Sequence, residues 1–295
     1  MQIEMKNVSL HVSEGVVLAV RHLRGEMITV RAGHPPVFDD QRSYVLHVNS
    51  AELAMDMDSL THLLNDHVFA YDGAPLRNLT VSIDEGQLAM KGTLHKGVPL
   101  PFSSKATIAA APGGRLRLHT EKVSALGIPA TKLLDLFGLT LEDMVALENR
   151  RGIKIQDDDI LLSAGQVLPP PEIRGNLSEA ALAGGRLIMT FAPADGRTPA
   201  TLSPPKPNAR GYVYFSGASI RFGKLTMSGS DLQLIDADER DPFDFFPARY
   251  NRQLVAGYSK NTPNGGLETY MPDFGDLDRA SDLRPKSDHG ANRAP

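Results

Sequence analysis

The sequence predicts an α+β fold that is predominantly β: a curved antiparallel meander wrapped on two amphipathic helices, with a β-rich C-terminal extension. Three observations predict it. Between Leu76 and Val123 four alternating segments are separated by three turn signals, a dense all-β pattern. On either side of that stretch the apolar period lengthens to that of a helix. Beyond residue 209 strand-like runs return, carrying eleven of the eighteen aromatic residues.

Taken in order, Val8 to Val20 alternates imperfectly and reads as one or two strands. Leu23 to Val30 reads as another, closed by the turn Gly33-His34-Pro35-Pro36. From Arg42 to Asp56, Tyr44, Leu46 and Val48 share one face, and Leu53, Met55 and Met57 continue after a phase change near Asn49-Ser50. Such a change predicts a bulge or bend in one long strand. Asp58 then serves as a helix N-cap, with Leu60, Leu63, Leu64, His67 and Val68 on one helical face. Gly73 and Pro75 end that segment.

In the meander, Leu79, Val81 and Ile83 alternate with polar residues up to the hairpin turn Asp84-Glu85-Gly86, where Gly86 suits a positive φ. Leu88, Met90 and Leu94 follow, then Phe102, Ser104, Ala106 and Ile108 after Gly97-Val98-Pro99, then Leu116 and Leu118 after Pro112-Gly113-Gly114. The second helical region starts near Pro129, with Leu133, Leu134, Leu136 and Phe137 on its apolar face. Thr140 caps a short helix after it. Two short strands surround Asp157-Asp158-Asp159, and Ile173 to Ala183 and Arg186 to Phe191 pair around Gly184-Gly185.

Residues 192–209 carry five prolines and read as a linker. Tyr212 to Ile235 is strand-like. Phe243, Phe246, Tyr250 and Leu254 fall near helical spacing between Asp241 and Tyr258. The expected organisation is a curved-sheet plus helix domain over 1–192, a Pro-rich linker over 193–209, a β-rich aromatic segment over 210–275, and a disordered tail over 276–295.

Composition narrows the function classes. The net charge of −4, with no basic stripe interleaved with aromatics, argues against nucleic acid. With no cysteine, disulfides, thiolate nucleophiles and zinc–thiolate sites are excluded together. No apolar run approaches the ~20 residues of a membrane-spanning helix. The N-terminus, Met1-Gln2-Ile3-Glu4-Met5-Lys6, lacks the pattern of a signal peptide. The expected location is therefore cytoplasmic, or periplasmic (cell envelope) if the sequence lacks its leader.

No H-E-x-x-H, G-x-S-x-G, P-loop or G-x-G-x-x-G motif is present, and the reading leans to a protein without catalysis and without a cofactor. His62 and His67 stand at i, i+5, which is not one helical face. His95-Lys96-Gly97 ends a strand, where a solvated histidine is the usual case. Asp157-Asp158-Asp159 reads as a tight turn rather than a calcium loop. Asp236, Asp238, Asp241 and Asp244 read as an acidic loop, since no glycine lies among them and their spacing is irregular. No metal site is expected.

What remains is architecture. A sheet that curls against two apolar helix faces without filling its interior leaves an elongated groove. Its expected lining is Leu60, Leu64, Val68, Val81, Ile83, Leu88, Met90, Leu94, Phe102, Ile108, Leu133 and Phe137. An acyl chain gains about 0.8 kcal/mol for each CH₂ buried there, so a lipid needs no catalytic residue to hold it. The competing reading of the same residues is a closed core, the usual fate of apolar side chains.

Residues from about Tyr44 to Phe191 resemble the LmeA-like family of bacterial phospholipid-binding proteins, relatives of the tubular lipid-binding fold. The features that carry the resemblance are the Leu60 to Val68 helix and the hairpin Val81-Ser82-Ile83-Asp84-Glu85-Gly86-Gln87-Leu88-Ala89-Met90. Gly92-Thr93 and the return strand through Phe102 add to it. The resemblance implies a curved sheet around helices, an apolar cavity, and work on the far side of a cytoplasmic membrane. The chain departs from it in showing no leader and in adding the linker and the aromatic segment. The expected function is binding or transfer of a phospholipid or other apolar ligand, with peripheral membrane contact. The alternative is a non-catalytic scaffold docking a protein partner through residues 210–275.

Overall fold

The computed structural model describes residues 1–96, 98–125, 128–129, 152–193, 195–196 and 201–277 of the 295-residue chain. The expected second helix, with Leu133 and Phe137, the short helix capped by Thr140 and most of the expected tail lie outside the described residues.

Three long strands open the chain: β1 (Gln2–Ser13), β2 (Val16–Thr29) and β3 (Tyr44–Asp56). They pair antiparallel in sequence order. The boundaries differ from those expected. Strand β1 begins at Gln2, six residues earlier, and β2 runs unbroken through the place where two strands were separated. The polar pair Arg21-His22 made the alternation look interrupted. It marks a register shift against β3 between Val20 and His22 instead. The phase change in β3 is present: Arg24 pairs Ser50 while Gly25 pairs Val48, which leaves Asn49 as the bulged residue.

The helix α1 (Met57–Leu63) follows β3 directly and widens into a π-helical turn, Leu64–Val68. Its N-cap is Asp56, not Asp58. The Asp56 side chain accepts the Ser59 N–H at 2.7 Å, and Asp58 sits in the first turn, where its charge favours the dipole.

The meander comes next as β4 (Leu76–Asp84), β5 (Gln87–Lys96), β6 (Val98–Ala111) and β7 (Arg115–Ala125), each antiparallel to the one before. Glu85 and Gly86 both take positive φ in the first hairpin, at 52° and 79°, as a two-residue turn requires. The short β8 (Ile128–Pro129) lies against β7. The strands β9 (Ile153–Gln156) and β10 (Asp159–Leu162) complete a seven-stranded sheet of order β4-β5-β6-β7-β10-β9, with β8 off that path.

After α2 (Ala164–Val167), the segment expected as one strand from Ile173 to Ala183 divides. Strand β11 (Glu172–Gly175) runs parallel to β3, and β12 (Leu177–Ala183) turns back on β13 (Arg186–Phe191). The C-terminal segment supplies β14 (Tyr212–Gly217), the small hairpin β15 (Ile220–Phe222) and β16 (Leu225–Met227), and then β17 (Ser230–Asp236). It ends with β18 (Phe243–Phe245), α3 (Tyr250–Ala256), β19 (Tyr258–Asn261) and β20 (Leu267–Met271). Phe243 thus lies on a strand, and the helix expected from that point begins only at Tyr250.

Strand β14 pairs antiparallel with β1 over Gln2 to Lys6. One eleven-stranded sheet, of order β12-β13-β3-β2-β1-β14-β17-β20-β19 with β11 and β18 off the path, therefore joins both ends of the chain. The proline-rich stretch between them is packed at its end. Ala209 is fully buried, and the Lys206 backbone exchanges two hydrogen bonds with the Gln233 side chain, at 2.8 and 3.0 Å. The aromatic residues of the segment are mostly core. Phe215, Phe243 and Phe245 are buried in the cluster that also holds the meander's apolar face. Phe38 packs edge-on against Phe215 and Tyr250, with centroids at 5.6 and 5.0 Å.

Candidate functional site

Strand β4 is an edge of its sheet, and an uncovered edge leaves backbone groups without partners. Here α1 and its π turn cover it with side chains. Thr61 Oγ1 accepts the Val81 N–H at 3.0 Å. Asn65 Oδ1 accepts the Leu79 N–H at 2.9 Å, and Asn65 Nδ2 donates to the Leu79 carbonyl at 2.8 Å and to the Thr61 carbonyl at 3.0 Å. Leu79 needs a side-chain partner because β4 is bulged there: Arg77 pairs Thr93 and Thr80 pairs Lys91, with Asn78 at a positive φ of 53°. Gly92, opposite the bulge, leaves the space that Leu79 and Phe102 occupy.

This seam holds the helix against the apolar face of the meander and leaves a pocket of ≈ 60 Å³ between them. Leu60, Leu64 and Val68 from the helical segment face Leu88, Met90, Ile108, Leu118 and Ile160 from the sheet, and Leu187 of β13 closes one side. Only Ser104 and Thr120 add polar side chains to the wall. Ile108, Leu118 and Ile160 are directly paired across β6, β7 and β10, and all three are half-buried. The π turn, closed by the Phe69 N–H on the Leu64 carbonyl at 2.8 Å, forms part of the wall. Single π-helical turns are frequent at functional sites.

Of the expected lining residues, Leu60, Leu64, Val68, Leu88, Met90 and Ile108 come together here. Val81, Leu94 and Phe102 are buried in the core outside the pocket wall, and Ile83 is half-buried near the end of β4. Leu133 and Phe137 lie outside the described residues. Sequence reading did not join Ile153, Ile160 and Leu162 to the site, although their strands are visible around Asp157. Leu187 carries no local signal at all, because it arrives from the other sheet.

The polar candidates resolve separately. His62 bonds Asp66 at 2.9 Å on the solvent side of the helix, while His67 meets Ser13 Oγ at 3.0 Å. Burial lowers the His67 pKa, with the nearby Asp66 charge acting the other way. His95 is exposed. Asp157 takes a positive φ in a tight turn, and Asp159 is engaged by Arg117 and His119, at 2.8 and 2.7 Å. Burial opposes Asp159 ionisation, but the Arg117 ion pair and the His119 contact outweigh it and hold the carboxyl below its usual range.

The four acidic residues expected as one loop are split. Asp238 is clamped by Arg240, and Asp244 accepts from His11 at 2.6 Å and from the Gly275 N–H at 2.9 Å. Asp236 and Asp241 instead meet Asp273. Burial pushes the carboxyls of Asp236 and Asp273 each up to about 7, and neighbouring carboxylates add to it.

No family model, curated protein or solved structure matches the chain.

Proposed function

We propose that the protein binds an apolar ligand, the acyl chain of a lipid, in the pocket between the helical segment and the meander. The observation that carries this reading is the wall: apolar on every side but for Ser104 and Thr120, with a half-buried cross-strand row, Ile108–Leu118–Ile160, running along it. A closed core would place such a row out of reach of solvent. The resemblance of residues 44–191 to phospholipid-binding proteins points the same way.

Size sets a condition. A dry cavity of about 150 Å³ holds one benzene, so a pocket of ≈ 60 Å³ must widen before a chain enters. The wall that can move is the helical segment, because it is held to β4 by side-chain hydrogen bonds rather than by a strand ladder. Each methylene then buried returns about 0.8 kcal/mol.

The test is native mass spectrometry of gently purified protein, with titration of a fluorescent fatty acid and a fluorescent phospholipid. Saturable uptake is expected, weakened at least tenfold in Ile108→Gln, whose half-buried position tolerates the change. Protein without co-purified lipid that also takes up neither probe would sink the reading.

A further inference from the structure

At the far side of the molecule β17 and β20 run parallel, with Asp236 opposite Met271. Their C-terminal ends bring Asp236 and Asp273 together, and the loop leading into β18 adds Asp241. One carboxylate oxygen from each lies within 4.8 Å of the others. We propose that these three carboxylates form a binding site for a single Ca²⁺ ion.

A second observation supports the site independently of the cluster. Asp236 is 2% exposed. Its Oδ1 accepts the Asp238 N–H at 2.9 Å, whereas its Oδ2 is buried without a hydrogen-bond partner. A buried carboxylate oxygen left unpaired is costly and calls for a partner. Among the described residues no cationic side chain forms a salt bridge with any of the three carboxylates: Arg240 is clamped on Asp238, its charge acting on Asp241 only from a distance, and Lys206 reaches Glu239 at 3.8 Å.

The donor set selects the ion. Ca²⁺ takes about six to eight oxygen ligands at about 2.3–2.6 Å in flexible geometry, whereas Mg²⁺ demands a near-ideal octahedron at about 2.0–2.1 Å and keeps most of its waters. Three carboxylates that converge within 4.8 Å from two strand ends and a loop suit the ion that tolerates irregular geometry. Asp241 is exposed and gives the ion a route from solvent, with water completing its shell. The ion's place in the fold is a staple. Asp273 Oδ1 already accepts the Asp244 N–H at 2.7 Å, and buried Gln253 donates to the carbonyls of Asp244 and Pro272 at 2.8 and 2.9 Å. Ca²⁺ would add a tie from the end of β17 to that same junction.

The experiment uses the full chain, stripped with EGTA and titrated with CaCl₂ by calorimetry and by thermal unfolding. Binding at one site is expected, with Tm raised by about 5 °C at a hundredfold excess over Kd. Loss of even an outer-shell partner costs a metal site about 10–100-fold in affinity. Asp241→Asn and Asp236→Asn should therefore each lose at least tenfold. Should Asp236→Asn fail to fold, the exposed Asp241 position keeps the test alive: its stripped form should melt no lower than the stripped wild type, and CaCl₂ should no longer raise its Tm. Absence of binding heat with an unchanged Tm at pH 8, a full Ca²⁺ response in Asp241→Asn, or tighter binding of Mg²⁺ than of Ca²⁺ would each overturn the assignment.

Discussion

Asn65→Ala isolates the seam that holds the helical segment on the meander. The side chain makes three hydrogen bonds, two of them to the backbone of Leu79 and one to the Thr61 carbonyl. Leu79 is 2% exposed, so water does not readily replace the lost partner. The two bonds to Leu79 contribute about 1 kcal/mol each, and a stranded buried N–H or carbonyl adds about 1–3 kcal/mol. The expected destabilisation is about 3–5 kcal/mol, a large share of the ~5–15 kcal/mol that holds a typical domain together. Urea unfolding followed by circular dichroism reads it as a lowered midpoint at unchanged slope. Asn65→Asp sharpens the test: it keeps an acceptor for the Leu79 N–H but sets a carboxylate against the Leu79 carbonyl, so its cost should match or exceed that of alanine. A loss below about 0.5 kcal/mol in both variants would refute the claim that this side chain completes the strand edge. If the helical segment is also the moving wall of the pocket, Asn65→Ala should speed uptake of the fluorescent fatty acid in stopped-flow mixing.

Two further outcomes follow from the same geometry. Gly92→Ala would place a Cβ 2.6 Å from Leu79 Cδ2 and 3.0 Å from both the Arg77 carbonyl oxygen and Phe102 Cε1. Overpacking of this kind costs about 1–3 kcal/mol, and a melting temperature equal to wild type would contradict the placement of the bulge. His67 has a pKa below the ordinary imidazole value of 6.5 because it is partly buried. The unfolded chain therefore takes up a proton near pH 6.5 that the folded chain resists, and stability is lost as pH falls from there through the folded pKa. The unfolding free energy of His67→Gln, measured between pH 7.5 and 5, should fall less steeply than that of wild type. Identical slopes would show that this histidine does not contribute.

Legibility followed the range of the interactions. The meander could be read because each strand pairs with its sequence neighbour and each turn has its own local chemistry: Glu85-Gly86 and Gly113-Gly114 take positive φ where two glycine-containing signals announced them. The bulge at Asn49 was visible as a slipped alternation, since a one-residue insertion moves every later side chain to the other face. Half of the expected pocket lining was legible for the same reason, being one helical face and the alternate residues of adjacent strands. What escaped was whatever depends on pairing between distant segments. Strand β1 closes on β14 across two hundred residues, and the polar Glu4 and Lys6, on the face opposite Ile3 and Met5, disguised a strand that β14 completes. The three carboxylates show the limit most clearly. Asp236 and Asp241 were visible together as an acidic loop lacking the spacing of a calcium motif. That judgement holds for a ligand set contained in one loop, but Asp273 is brought in by the parallel pairing of β17 with β20. In a parallel pair both strands end on the same side, so the residues just past each end become neighbours whatever their separation in sequence. An acidic residue at the exit of one such strand is therefore best judged against the exit of its partner, and only the fold says which strand that is.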